Sequence, residues 1–173
     1  MTTIDLAAKV RDVPDFPEPG IVFKDIMPLL ADPSAFRDAV DRLAEWAGPR
    51  EPELILGAEA RGFILGGALA YKLGCGFCAA RRPGKLPAKT ISATYALEYG
   101  ENALEVHADA FANGTRVLVH DDVLATGGTV KAILDLVEQL GGEVVGVAFL
   151  IELEFLNGRE QLEGFDVHAL IGY

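Results

Sequence analysis

Residues 116–122, RVLVHDD, run from an apolar strand pattern into two adjacent carboxylates, and Ala125-Thr126-Gly127-Gly128-Thr129 follows almost without side-chain bulk. A strand that is apolar without alternation must be covered on both faces, which marks a parallel sheet flanked by helices. Val130, Ile133, Val137 and Leu140 then recur at helical spacing, Gly141-Gly142 ends the helix, and EVVGVAFLIEL reads as a second buried strand. The same order occurs upstream. LILGAE is a short buried strand, and Arg61 opens a helix carrying Ile64, Leu65, Ala68 and Leu73, closed by Gly74. These patterns predict an α/β fold, a mainly parallel twisted sheet with helices on both faces. Ligands in such sheets bind beyond the carboxyl ends of the strands, where Asp121 to Thr129 falls.

The rest of the chain adds detail. A first helix is expected over Ile4 to Val13, before Pro14, Pro17 and Pro19 force extended backbone and Gly20 turns the chain into IVFKDI. Asp32-Pro33 starts another helix, with Asp as the cap and Pro in the first turn. LGCGFCAARR reads as a helix ending at Gly74 and a strand beginning near Gly76. PGKLPAKTISAT is small, polar and punctuated by proline, so residues 83–97 are expected to form a surface loop serving as a lid. TYALEYG and ALEVHAD look like strands about a turn, and Asn113-Gly114 marks another turn. No linker or repeat interrupts the 173 residues, so a single domain over 1–173 is expected.

Charge and cysteine use narrow the function classes. Fifteen basic residues against 26 acidic ones leave a net charge of −11. That is unsuited to a nucleic-acid groove, which needs clustered Lys and Arg, though one small anion can still be bound by local dipoles. The N-terminus is too charged for a signal peptide and no apolar run approaches membrane length, so a cytoplasmic protein is expected. Cys75 and Cys78 have C-x-x-C spacing but lie between a helix end and a strand start, and His107, His120 and His168 supply no second ligand pair. They read as two small buried thiols.

The small-residue loop lacks G-x-G-x-x-G and has no Walker lysine, which argues against a dinucleotide or nucleotide-hydrolysing site. Gly127 and Gly128 let backbone N–H groups approach a ligand, Thr126 and Thr129 add hydroxyls, and a helix begins there with its positive dipole end. That suits a phosphate monoester. Asp121 and Asp122 would repel the same anion; they suit hydroxyl donors or a cation. A phosphate with a vicinal diol nearby is a ribose 5-phosphate.

At this point VLVHDDVLATGGT resembles the phosphoribosyl-pyrophosphate binding motif of the type I phosphoribosyltransferases. Within that group the chain is similar to the adenine phosphoribosyltransferases along nearly its whole length. FPEPGIVFKDIMPLLADP, GAEARGFILGGALA, RRPGKLP, YALEYG with ALEVHADA, and ELEFLNGREQLEG match in order and spacing. The resemblance implies transfer of the phosphoribosyl group to adenine in purine salvage, giving AMP and pyrophosphate. Asp121 and Asp122 would bind the ribose hydroxyls, with Mg2+ carried mainly by the substrate, and Ala125, Thr126, Gly127, Gly128 and Thr129 would hold the 5-phosphate. Glu59, Ala60 and Arg61 match the pyrophosphate loop, for which a cis Glu59–Ala60 peptide is also implied. Arg81 and Lys85 match basic residues meeting the pyrophosphate, Arg81 from the other subunit of a homodimer. Glu98 corresponds to the catalytic glutamate, with Tyr99 beside it. Residues 1–35 would form a base-binding hood in which Phe23 stacks on adenine and the backbone at Val22, with Ile21 and Lys24 alongside, reads its edge.

Two positions depart from the family pattern. Lys24 stands where Arg is common, and an ammonium would suit a 6-oxopurine, so a hypoxanthine, guanine or xanthine transferase is the nearest alternative. A non-catalytic sensor of phosphoribosyl pyrophosphate is a second alternative, lacking here the basic module such regulators add. His120 replaces an apolar residue; its side chain should point away from that of Asp121 and pack.

Overall fold

The patterns above place the buried strands side by side in the computed structural model, which describes residues 4–96 and 101–173. β3 (Leu54–Ala58), β4 (Gly76–Ala80), β7 (Arg116–Leu124), β8 (Glu143–Glu152) and β9 (Val167–Gly172) form one parallel sheet in the order β4-β3-β7-β8-β9. Helix α3 (Gly62–Leu73) connects β3 to β4, and α4 (Gly128–Gln139) connects β7 to β8. The chain leaves β3 and β7 in opposite directions along the sheet. The gap between their carboxyl ends is therefore the switch point at which such folds bind ligands.

Each strand serves both faces with period two. Ile55, Leu118 and Ala148 pack with Leu43 of α2 (Pro33–Ala47) and Leu69 of α3, while Leu56, Val119 and Phe149 pack with Val130, Ile133 and Val137 of α4. Asp32 caps α2 as its sequence implies, accepting from the Ser34 and Ala35 amides at 2.9 and 3.1 Å. Gly74, at φ 71°, ends α3 in the left-handed region that glycine tolerates.

Three expectations give way. The helix over Ile4 to Val13 shrinks to a 3-10 turn at Ala7–Lys9, and Arg11–Pro14 is strand β1, paired antiparallel with β2 (Val22–Asp25). Cross-strand pairing overrides helix propensity there: Arg11 bonds Asp25, and Lys24 meets Asp12 at 2.7 Å. The loop expected over 83–97 contains a strand, β5 (Thr90–Ala96), in a ribbon with β6 (Glu101–His107). Its apolar face is Ile91, Ala93 and Tyr95, alternating with Ser92 and Thr94 and packed on the α4 layer. Cys75 and Cys78 are free and half-buried rather than buried, with burial raising both thiol pKa values. Short helix α1 (Met27–Ala31) and edge strand β9 had no counterpart in the sequence reading.

Candidate active site

A cavity of about 630 Å3 opens at the switch point. β7 outruns its neighbour: pairing with β3 stops at Gly57 and His120, while pairing with β8 continues to Leu124. Asp121 and Asp122 therefore project past the end of β3, opposite the loop Glu59-Ala60-Arg61. Asp121 is almost wholly buried, and its Oδ1 accepts from the Asp122 amide at 2.8 Å. Burial, then the neighbouring Asp122 charge, holds its pKa well above the ordinary carboxylate value.

The loop after β3 is set close to these acids by α3. A Cβ on Gly62 would lie 3.0 Å from Asp121 Oδ1 and 3.1 Å from the His120 carbonyl, so only glycine lets the helix start so near β7. The Glu59–Ala60 peptide is cis. Arg61 Nε donates to Asp122 Oδ2, and the Arg61 guanidinium sits 5.0 Å from the centre of the Phe23 ring. One side chain thus touches the expected ribose, pyrophosphate and base regions. Glu59 accepts from the Arg82 amide at 2.7 Å and faces Arg81 at 3.4 Å. Burial alone would raise its pKa; these donors more than offset that and hold it low.

Beyond Asp122, a pit of about 60 Å3 is lined by Ala125, Thr126, Gly127, Gly128 and Thr129. Gly127 has φ 88° and caps α4, so the loop amides and the positive end of a 12-residue helix meet there. The loop is backed by Gly158: a Cβ on Gly127 would lie 2.6 Å from the Gly158 carbonyl, and one on Gly158 would strike the Ala125 carbonyl. A phosphate fits this combination of backbone donors and absent side chains. The opposite wall is Ile21, Val22, Phe23 and Lys24. Pro14 stands across from Val22 and has no N–H to offer it.

Most of the expected site residues that are described are brought together, and two are not. Arg81 and Lys85 do not line the cavity; Arg81 leans on Glu59 and donates to the Lys85 carbonyl at 3.2 Å. Glu98 and its neighbour Tyr99 lie outside the described residues. His120 is packed, fully buried with Nδ1 2.9 Å from the Ala148 carbonyl, and burial lowers its pKa to about 4. Arg82, Tyr95, Asn102, Leu104 and Leu153 also line the cavity. The paired arginines of RRPG and the alternation in the β5–β6 ribbon are the signals that point to the first four; Leu153 had none beyond its place after a buried strand.

Comparison with known proteins agrees with this geometry. The phosphoribosyl transferase domain family matches residues 30–163. An adenine phosphoribosyltransferase of Thermotoga maritima is 56% identical over 173 residues, covering 100% of both chains. The crystal structure of adenine phosphoribosyltransferase from Thermoanaerobacter pseudethanolicus superposes with a TM-score of 0.96 at 50% identity, covering 99% of this chain and 100% of that one. The enzyme from Saccharomyces cerevisiae, complexed with adenine and an imino-altritol bisphosphate, gives 0.92 at 36% identity, covering 96% of each. With the family model spanning most of the chain and such identity along its full length, the chain belongs to the adenine phosphoribosyltransferases of the type I phosphoribosyltransferase fold.

Proposed function

We infer that the protein transfers the 5-phosphoribosyl group from phosphoribosyl pyrophosphate to adenine, giving AMP and pyrophosphate in purine salvage. The observation that carries this reading is one cavity holding an acid pair, a phosphate-sized glycine pit, an arginine loop and an aromatic wall. The 5-phosphate sits in the pit at Ala125–Thr129, the ribose hydroxyls bond Asp121 and Asp122, and the base lies against Phe23. The yeast relative's complex with adenine supports that choice of base.

The reaction breaks the bond from ribose C1 to the pyrophosphate oxygen and forms one to adenine N9, whose proton leaves. Positive charge grows on the ribose as the leaving group departs, as in glycoside cleavage. Arg61 swings from Asp122 to the pyrophosphate, a bidentate anion for which a guanidinium is matched. Asp122, so released, turns to the ribose hydroxyls. Arg82 on the cavity wall and Lys85 beyond it add positive charge on the same side. Glu98 stabilises the ribose cation or takes the purine proton.

Among the described residues no trio of His, Cys, Asp or Glu converges as a metal cage. Asp121 and Asp122 would suit a magnesium ion held mainly by substrate oxygens, which would supply charge neutralisation on the leaving group.

Lys24 bears on the 6-oxopurine alternative. Its ammonium is engaged by Asp12 at 2.7 Å and lies 3.7 Å from the centre of the Tyr173 ring, so Lys24 is not held free as a donor for a 6-oxo group. A homodimer is supported by the exposed apolar Ile64, Tyr71 and Phe77 on α3 and β4. A cytoplasmic setting accords with the free thiols of Cys75 and Cys78. Incubation with adenine, phosphoribosyl pyrophosphate and magnesium, followed by chromatography, should yield AMP and pyrophosphate in equal amounts. Pyrophosphate release without AMP would reject the transfer.

A further inference from the structure

The β1–β2 ribbon that walls the base region has two strands only, and a ribbon of that size is marginal without outside support. Its consecutive residues Phe23 and Lys24 project to opposite faces. Phe23 meets Phe16 edge-on at 5.2 Å on the cavity side. Lys24 also borders the cavity, and its ammonium reaches Asp12 Oδ1 at 2.7 Å and the Tyr173 ring, whose centre lies 3.7 Å from Nζ. Tyr173 is itself fixed by the sheet: its amide donates to the Glu152 carbonyl at 3.0 Å, and its carbonyl accepts from Glu154 at 2.9 Å. Between those two residues stands Leu153, a cavity-lining residue. A rigid path therefore runs from the end of β8 through Tyr173 and Lys24 to the backbone at Val22 and Phe23.

We propose that Tyr173 and Lys24 are positioning residues for the purine base, a cation-on-ring clamp that holds the ribbon at the distance where its backbone and Phe23 meet adenine. The proposal rests on the base site assigned above. Arg11 and Asp25 tie the two strands of the ribbon to each other, but they do not tie the ribbon to the sheet. Leu6 and Ile26, flanking the ribbon, are buried against Leu150, Ile151 and Ile171 and keep it attached, so the clamp sets where Phe23 and the Val22 backbone stand rather than whether the ribbon is held.

The test is steady-state kinetics with each substrate varied, on Tyr173→Leu, Lys24→Met, Tyr173→Phe and Phe23→Ala. Tyr173→Leu and Lys24→Met should each raise KM for adenine roughly threefold to tenfold, as loss of one partly desolvated cation–ring contact implies. KM for phosphoribosyl pyrophosphate should rise less, staying within about twofold, because Asp121 and the glycine pit do not touch the ribbon and Arg61 keeps its bond to Asp122. Tyr173→Phe keeps the ring and should behave as wild type. Equal rises in both KM values, or no change in either, would overturn the clamp. Phe23→Ala separates the two layers: it should raise KM for adenine strongly, and an unchanged value would move the base elsewhere and overturn both the clamp and the base site.

Discussion

Asp121 is buried, which disfavours its charge, and the neighbouring Asp122 carboxylate adds repulsion that Arg61, bonded to Asp122, only partly offsets. The pKa of Asp121 is raised on folding, so the native protein holds that proton more tightly than the unfolded chain does. Stability from this group is thus greatest at low pH and declines as pH climbs from about 4 towards the raised value. Asp121→Asn keeps an oxygen for the Asp122 amide and removes the charge. It should raise Tm by roughly 3–6 °C near neutral pH and flatten that part of the pH–stability curve, while KM for phosphoribosyl pyrophosphate rises about tenfold or more. An unchanged Tm would mean that Asp121 is not strained by its neighbour. Glu98→Gln tests the other carboxylate: kcat should drop about 10- to 100-fold with KM little changed, because its charge matters chiefly once the cation forms. At this scale the sequence displayed the acid pair and the glycines, since their spacing is local. It did not show that Arg61 lies across Asp122 and Phe23, or that Lys24 is neutralised by Asp12 and Tyr173, because those partners are distant in the chain.

Among the elements, α3 is the one whose position decides the site. Gly62 and Gly66 bring it down onto β7 and the Phe77 ring; a Cβ on Gly66 would sit 3.1 Å from that ring. At Gly62 the obstacle is β7 backbone, which cannot swing aside as a side chain can. Gly62→Ala should cost about 1–3 kcal/mol of stability by overpacking and raise KM for phosphoribosyl pyrophosphate, since Arg61 caps this helix. Thermal unfolding and kinetics together check it, and wild-type values in both would show that the seam is looser than these distances. The buried strands and α2, α3 and α4 were legible because continuous apolar runs, an Asp-Pro cap and glycine stops are local signals. β1 was misread as helix because its pairing with β2 lies across a proline turn, and the start of β5 was missed because Thr90 to Ala93 offers one large apolar side chain, whereas its end fell within the strand read in TYALEYG.

For the whole molecule, the exposed apolar side chains on α3 and β4 are the proposed dimer face. Tyr71 is 90% exposed, and Ile64 and Phe77 remain open nearby. Sedimentation should therefore give a dimer, and Ile64→Asp should shift it to monomer with reduced activity, as Arg81 is expected to serve the neighbouring site. A fully active wild-type monomer would contradict this. The fold class was legible from strand and helix order, whereas assembly leaves no periodic trace in a sequence. This cavity should transfer phosphoribose to adenine and refuse 6-oxopurines, a discrimination made at the base edge. It is tested most directly by measuring kcat/KM for adenine, hypoxanthine and guanine side by side at saturating phosphoribosyl pyrophosphate. Adenine should exceed both others by about 100-fold or more, since a buried edge that reads an amino group leaves a 6-oxo group unpaired. Comparable kcat/KM for hypoxanthine would contradict the account and return Lys24 to the base site as a donor.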